Sequence, residues 1–220
     1  MRLFLISMTI ATLLVGCNGQ SSKSKLRDQD KQKEDIKLTD EQLLDSVQKQ
    51  TFNYFWEGAE PTSGLARERI HLDDIYPTHH KDIITIGGSG FGVMAILVGI
   101  EREFITREMG LERLEKAVDF LDNADRFHGA WPHWLTPDGK MTPFSKKDNG
   151  GDLVETAFLI EGLLTVKEYF KDGNEREQAL AQHIQQLWEE VEWDWYTKGE
   201  NVLYWHWSPE YEWDMNFPVG

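Results

Sequence analysis

Asp148, Asp152 and Glu155 gather in one short stretch, Asp148-Asn149-Gly150-Gly151-Asp152-Leu153-Val154-Glu155. Asp152 and Glu155 are spaced to point to one side of a helical first turn, with Asp148 just upstream. Capping is the plain explanation for Asp152, because an acid at a helix start is favoured by the helix dipole. Glu155 is harder to dismiss. It enters a run that is otherwise apolar, and a buried carboxylate needs a partner or a purpose. Cleaving a glycosidic bond takes two carboxyl groups, one acid and one base or nucleophile, about 6.5–9.5 Å apart when a water must fit between base and sugar. Three acids this close in sequence are not that whole pair. They can supply the base side, orient the water or bind sugar hydroxyls.

Aromatic residues point the same way. Eight of the nine tryptophans follow residue 130, and four of them lie in two segments that also carry histidine: Trp131-Pro132-His133-Trp134 and Tyr204-Trp205-His206-Trp207-Ser208-Pro209. Flat indole faces stack on the C–H faces of sugar rings while nearby Asp, Asn and His bond hydroxyls. Trp131, His133, Trp134, Tyr204, Trp205 and His206 are therefore the candidate sugar-binding residues. Some tryptophans must be core, and Trp188 at an apolar helical position is expected to be one.

Helices must hold these groups. Thr39-Asp40-Glu41-Gln42 reads as a capping box, and Leu43, Leu44, Val47, Phe52 and Phe55 follow at helical spacing, predicting a helix over 39–56. Val93 to Ile100 is apolar all round, which predicts a helix buried on every side. Thr106 opens an amphipathic helix with Leu111, Leu114, Ala117, Val118 and Leu121 on one face. The segment from Leu153 is again nearly all apolar, and Asn174-Glu175-Arg176-Glu177 opens a last amphipathic helix. Alternation of buried and amphipathic helices suits a two-layer ring of hairpins; a bundle around one central helix is the rival. Five helices do not close such a ring, so residues 39–220 are expected to be the N-terminal part of a larger all-α domain.

Two other patterns carry less. Gly90-Phe91-Gly92-Val93-Met94-Ala95 after Ile83-Ile84-Thr85-Ile86 imitates a dinucleotide fingerprint, but that fingerprint needs a second parallel strand ending in an acid. The chain runs into the Thr106 helix instead. Gly87, Gly88 and Gly90 are better read as a tight turn into the buried helix, bringing Ser89 and backbone N–H groups close to a ligand. His71, His79 and His80 near Asp73, Asp74 and Asp82 have the residue types for a metal but no helical His pair, and a polar loop is the simpler reading.

Arg2 precedes a thirteen-residue apolar run, Leu3 to Val15, too short to span a bilayer and suited to a secretory signal. Cys17 is the only cysteine, which excludes an internal disulfide. Leu14-Val15-Gly16-Cys17 resembles a bacterial lipobox, so residues 1–16 are expected to be removed and Cys17 lipidated. Asn18 gives no inner-membrane retention signal, and the expected location is the outer membrane facing the periplasm. Residues 17–38 read as a flexible tether. The net charge is −15, although residues 1–36 carry six basic groups against four acidic ones. A body this acidic repels phosphate backbones, so nucleic-acid binding is not expected.

Four ordered blocks carry a wider resemblance: Gly87-Gly88-Ser89-Gly90-Phe91-Gly92, Phe127-His128-Gly129-Ala130-Trp131-Pro132-His133-Trp134, Asp148 through Phe158, and Tyr204 through Pro209. Together they resemble the bacterial glucoamylase-like family, which includes the endo-β-1,2-glucanases of glycoside hydrolase family 144. The resemblance implies a partial (α/α)6 toroid and inverting hydrolysis of β-1,2-glucan by a monomer, without metal or other cofactor. It assigns Asp148, Asp152 and Glu155 to the acidic cluster of the active site. It places the general-acid glutamate shortly after Asn216-Phe217-Pro218, beyond Gly220. The alternatives are a lipoprotein that binds glycan without cutting it, and a non-functional remnant.

Overall fold

The computed structural model describes residues 37–76 and 81–219. The leader, Cys17 and the tether through residue 36 lie outside the described residues, as do His79 and His80. The chain forms two units, Met1–Leu43 and Leu44–Gly220. In the first, Thr39 N–H donates to Gln42 Oε1 at 3.0 Å and Gln42 N–H to Thr39 Oγ1 at 3.2 Å, the reciprocal box that starts helix α1 (Asp40–Trp56).

Within the second unit, α1 buries Phe52 while Leu44 and Val47, expected on its core face, are exposed. Helix α2 (Ile86–Glu101) is buried along most of its length, and α3 (Arg107–Asn123) shows one face outward. Helix α4 (Leu153–Phe170) and helix α5 (Glu175–Glu189) repeat that pair. The caps are those read from the sequence. Thr106 Oγ1 accepts from Met109 N–H, and Asn174 with Glu177 forms a full capping box. On the outer layer Arg107 pairs with Glu177, and Arg176 pairs with Glu108 and Glu115, joining α3 to α5. The two-layer arc of hairpins is thus present, all-α apart from strands of two residues. Trp188 departs from expectation: it is 36 % exposed, at the edge of the α5 core face.

The two inner helices meet backbone to backbone. A Cβ added at Gly90 would lie 2.1 Å from Phe158 O, and one at Gly162 would lie 2.2 Å from Gly90 O. Gly87 meets Glu155 in the same way, at 2.5 Å from Oε2. Contacts 87 to 155 and 90 to 158–162 advance in one direction along both helices, so α2 and α4 run parallel and start at the same end. This corrects the reading of Gly87, Gly88 and Gly90 as a turn. They lie inside α2, and their missing side chains let α4 close in.

Short strands frame the shared end. β1 (Ile84–Thr85) pairs antiparallel with β2 (Trp134–Leu135), and β2 with β3 (Met141–Thr142). The antiparallel partner disposes of the dinucleotide fingerprint, which requires a parallel one. β4 (Gly151–Asp152) pairs with β6 (His206–Trp207), placing Asp152 opposite His206. β5 (Leu203–Tyr204) pairs with β7 (Pro218–Val219).

Candidate active site

The start of α4 is built by its own sequence. Asp152 Oδ1 accepts the Val154 and Glu155 N–H groups at 3.0 and 2.9 Å, which satisfies two of the orphan donors of the first turn. Its second oxygen, Oδ2, lies 3.1 Å from His133 Nδ1. Backbone bonds hold the frame: Asp152 N–H donates to Trp131 O, Leu153 N–H to Trp205 O, and Ile86 N–H to His133 O. Asp152 therefore caps the helix as expected, and the same carboxylate also orients an imidazole.

Around His133 the acids converge. Its Nδ1 is 3.7 Å from Asp148 Oδ2, and His206 Nε2 is 3.3 Å from Asp148 Oδ1. Asp148, Asp152 and His206 are buried. The His133 ring stacks on Phe144 at 4.1 Å, and Trp134 meets both rings edge-on while its indole N–H donates to Glu68 Oε2. Donor atoms of His133, Asp148 and Asp152 lie within 4.8 Å of one another, so these three are the residues among those described that could hold a metal ion.

Glu155 stands one step outward. Gly87 N–H, in the first turn of α2, donates to Glu155 Oε2 at 2.7 Å, so both inner helices hold this carboxyl with their positive ends. Glu155 is half-buried, whereas Asp148 and Asp152 are closed off. Burial raises its pKa above the ordinary 4.5, with the nearby negative charges of Asp152 and Glu68 adding to the rise and His133 and the Gly87 bond opposing it. For His133, burial alone would lower the value. The bond to Asp152 and the charges of Glu155, Asp152 and Asp148 outweigh it, and the imidazole sits above 6.5.

These shifts have the same sign for stability. A carboxyl raised on folding favours the fold most below its unfolded value of 4.5, and that contribution is lost as pH rises through the folded value. An imidazole raised above 6.5 behaves likewise over the next window. Melting temperature is therefore expected to fall as pH climbs from about 4.5 to 8. Glu155→Gln should flatten the lower part of that slope; an unchanged slope would contradict the buried position given to Glu155.

Asp152 separates its two tasks by substitution. Asp152→Ala leaves two N–H donors and His133 without their acceptor and is expected to cost about 2 kcal/mol. Asp152→Asn keeps the capping oxygen and should recover most of that loss, while the His133 titration followed by NMR moves down. Equal stability of the alanine variant and the unmodified chain would show that the cap does not form.

Of the residues singled out from sequence, the fold brings His133, Trp134, Asp148, Asp152, Glu155 and His206 together. Trp205 lends its carbonyl to the start of α4 and is itself 40 % exposed. Three do not join. Trp131 is fully buried, its indole N–H donating to Leu121 O and its face covered by Arg126, so it has no surface for a sugar. Ser89 is buried between Thr85 O and Ala66 N–H, to which its hydroxyl is bonded. Tyr204 packs beside Trp213 under Lys198, with its hydroxyl on Glu200. Sequence reasoning missed Phe144 and Glu68. Phe144 borders the acidic loop and could have been noticed there; Glu68, inside Arg67-Glu68-Arg69, carries no such signal.

Parallel inner helices that start together, with carboxyls and imidazoles at that end and amphipathic helices outside, define part of a glucoamylase-like (α/α)6 toroid of the glycoside-hydrolase type. No family model matches the chain. Comparison with individual proteins is specific: over the part of them that it spans, the chain is similar to β-1,2-glucanases. An endo-β-1,2-glucanase from Chitinophaga pinensis, solved with sophorotriose and glucose, is 63 % identical with a TM-score of 0.82, over 83 % of this chain and 44 % of that one. A β-1,2-glucanase structure from Parabacteroides distasonis is 51 % identical with a TM-score of 0.76, over 83 % of this chain and 26 % of its own. A curated relative from the same organism, an exo β-1,2-glucooligosaccharide sophorohydrolase acting at the non-reducing end, is 52 % identical over 183 residues, 81 % of this chain and 24 % of the relative. The chain thus spans less than half the length of these relatives, and the resemblance drawn from the four sequence blocks is borne out over the part it spans.

Proposed function

We propose that this chain carries the water-activating side of a β-glucan hydrolase site acting within β-1,2-glucan chains with inversion. The observation that carries the reading is Glu155, a carboxyl anchored through one oxygen by the Gly87 N–H and held at raised pKa at the mouth of the acid cluster. A carboxylate that binds its proton more tightly is a stronger base toward water. With Oε2 fixed, Oε1 is the atom left to take the proton of a water as its oxygen attacks the anomeric carbon. The departing sugar oxygen takes its proton from a second carboxylic acid across the bond. Asp152 and Asp148 are positioning residues, fixing His133 and His206 behind Glu155. His133, Trp134 and Trp205 line the approach of the sugar.

The homologues' substrates support the β-1,2 linkage. Lipid attachment at Cys17 and placement in the outer membrane facing the periplasm rest on Arg2, the Leu3–Val15 run and the Gly16-Cys17 step. Among the described residues no helix is long and apolar enough to cross a membrane.

The test incubates the purified chain with β-1,2-glucan, counting reducing ends and following its migration in glucan-containing gels. New reducing ends with inverted anomers by NMR support the hydrolase. Retarded migration with no reducing ends favours the glycan-binding alternative. Neither effect, with an intact fold by circular dichroism, refutes both for this chain.

A further inference from the structure

A second feature lies on the far side of the β4–β6 pair. Successive residues of a strand face opposite ways. His206 turns toward Asp148, and Trp207 turns toward His128 and Trp195. Beyond Trp195 opens a cleft of about 320 Å³, walled by Trp195 and Trp213 and edged by Glu192, Asp194 and Lys198. The volume admits one or two pyranose rings.

The wall is preset. His128 lies flat on one face of Trp195, with ring centres 3.6 Å apart and planes 11° apart, and Trp207 meets its edge at 6.0 Å. His128 is itself tied to Glu192 at 3.0 Å. With His128 stacked against it, Trp195 is still 39 % exposed and borders the cleft. Trp213 continues that surface at a tilt of 33°. Lys198 Nζ is held by Asn216 Oδ1 at 2.7 Å, above the Tyr204 ring. Gly199, with φ +77°, has nothing within 4 Å of a would-be Cβ, so the cleft is open to solvent at that side.

We propose that this cleft is a second glycan-binding site, distinct from the acid cluster, that takes a glucosyl ring of the glucan. A rigid indole floor recognises the C–H face of a pyranose, and the Glu192 and Asp194 carboxylates accept its hydroxyls. A site of this kind would hold a chain already engaged, or about to be engaged, at the cluster on the other side of the sheet, raising its effective concentration there. The choice of glucan as ligand rests on the hydrolase reading; the site's geometry does not.

The test titrates sophorotriose, and separately choline, into the full 220-residue chain while watching the indole Nε1–H signals by NMR. Trp→Phe variants assign the signals. The expected result is saturable movement of the Trp195 and Trp213 signals with sophorotriose, retained in Glu155→Gln and lost in Trp195→Ala. Because Trp195 supports His128 and Glu192 anchors that imidazole, Asp194→Ala serves as the variant that leaves the aromatic stack alone; it should weaken binding several-fold. Movement with choline and none with sophorotriose would overturn the proposal by showing a cation cage. Silence of both signals would overturn it too, and so would movement abolished by Glu155→Gln, since the ligand would then sit at the acid cluster. Binding at Trp195 without any hydrolysis would leave this proposal standing and the hydrolase reading fallen.

Discussion

Glu155→Gln is expected to lower hydrolysis of β-1,2-glucan by about 10²- to 10⁴-fold, equivalent to about 2.7–5.5 kcal/mol of barrier, with the fold unchanged. The amide keeps the shape of the side chain, and its carbonyl oxygen still accepts the Gly87 N–H. What disappears is the capacity to take a proton from water. The loss should fall on turnover more than on the concentration of glucan at half-saturation, because the stacking and hydroxyl contacts remain. Reducing-end assays of this chain, and of the Chitinophaga pinensis relative carrying the same change at its aligned position, measure the effect. The relative settles the point even if this chain alone turns over slowly. Hydrolysis within a few-fold of normal in both proteins would remove Glu155 from the chemistry and leave it as a group that merely closes the α2–α4 junction.

Gly90→Ala is expected to destabilise the chain by about 3 kcal/mol or more, at the upper end of what overpacking costs. On a chain of this size that is a fall in melting temperature of about 6–12 °C. Helix propensity alone predicts the reverse, since alanine is favoured over glycine in a helix interior by about 1 kcal/mol. The sign is decided by what the methyl meets. It would land 2.1 Å from Phe158 O and 2.9 Å from Leu159 Cα, and backbone atoms cannot rotate away. Gly87→Ala makes an instructive contrast. Its methyl would meet the end of the Glu155 side chain at 2.5 Å, which can swing outward. That variant should keep most of its stability and lose activity. Calorimetry of the two alanine variants checks both claims; a stabilised Gly90→Ala would mean the inner helices do not approach as closely as described.

The helices were legible because their signals are local. Thr106, Asp152 and Asn174 each stand where a cap is needed, and the segment from Leu153 to Val166 is nearly all apolar. The convergence of His133, Asp148, Asp152 and His206 was foreseen only as a list of residues. Pairing of β4 with β6, which joins segments far apart in sequence, is what turns the list into a cluster. The glycines misled for a related reason. Gly87, Gly88 and Gly90 suit a turn and a helix seam equally well, and only the partner helix distinguishes them. Trp131 misled because a tryptophan beside a proline and a histidine looks like a loop residue, whereas Leu121 O and Arg126 enclose it in the core. Leu44 and Val47 show the limit of periodicity itself: the stripe is there, and no described residue covers it.

A junction made of main chain has no rotamers to explore. Where α2 and α4 touch through Gly90 and Gly162, neither helix can slide or roll without atoms colliding, so the rim they share moves as one piece. The carboxyl of Glu155 takes its bearing from that rim through a peptide N–H. Its aim is therefore as steady as the two helices themselves, and the fixed point of the cluster lies in the part of it that contributes no side chain at all.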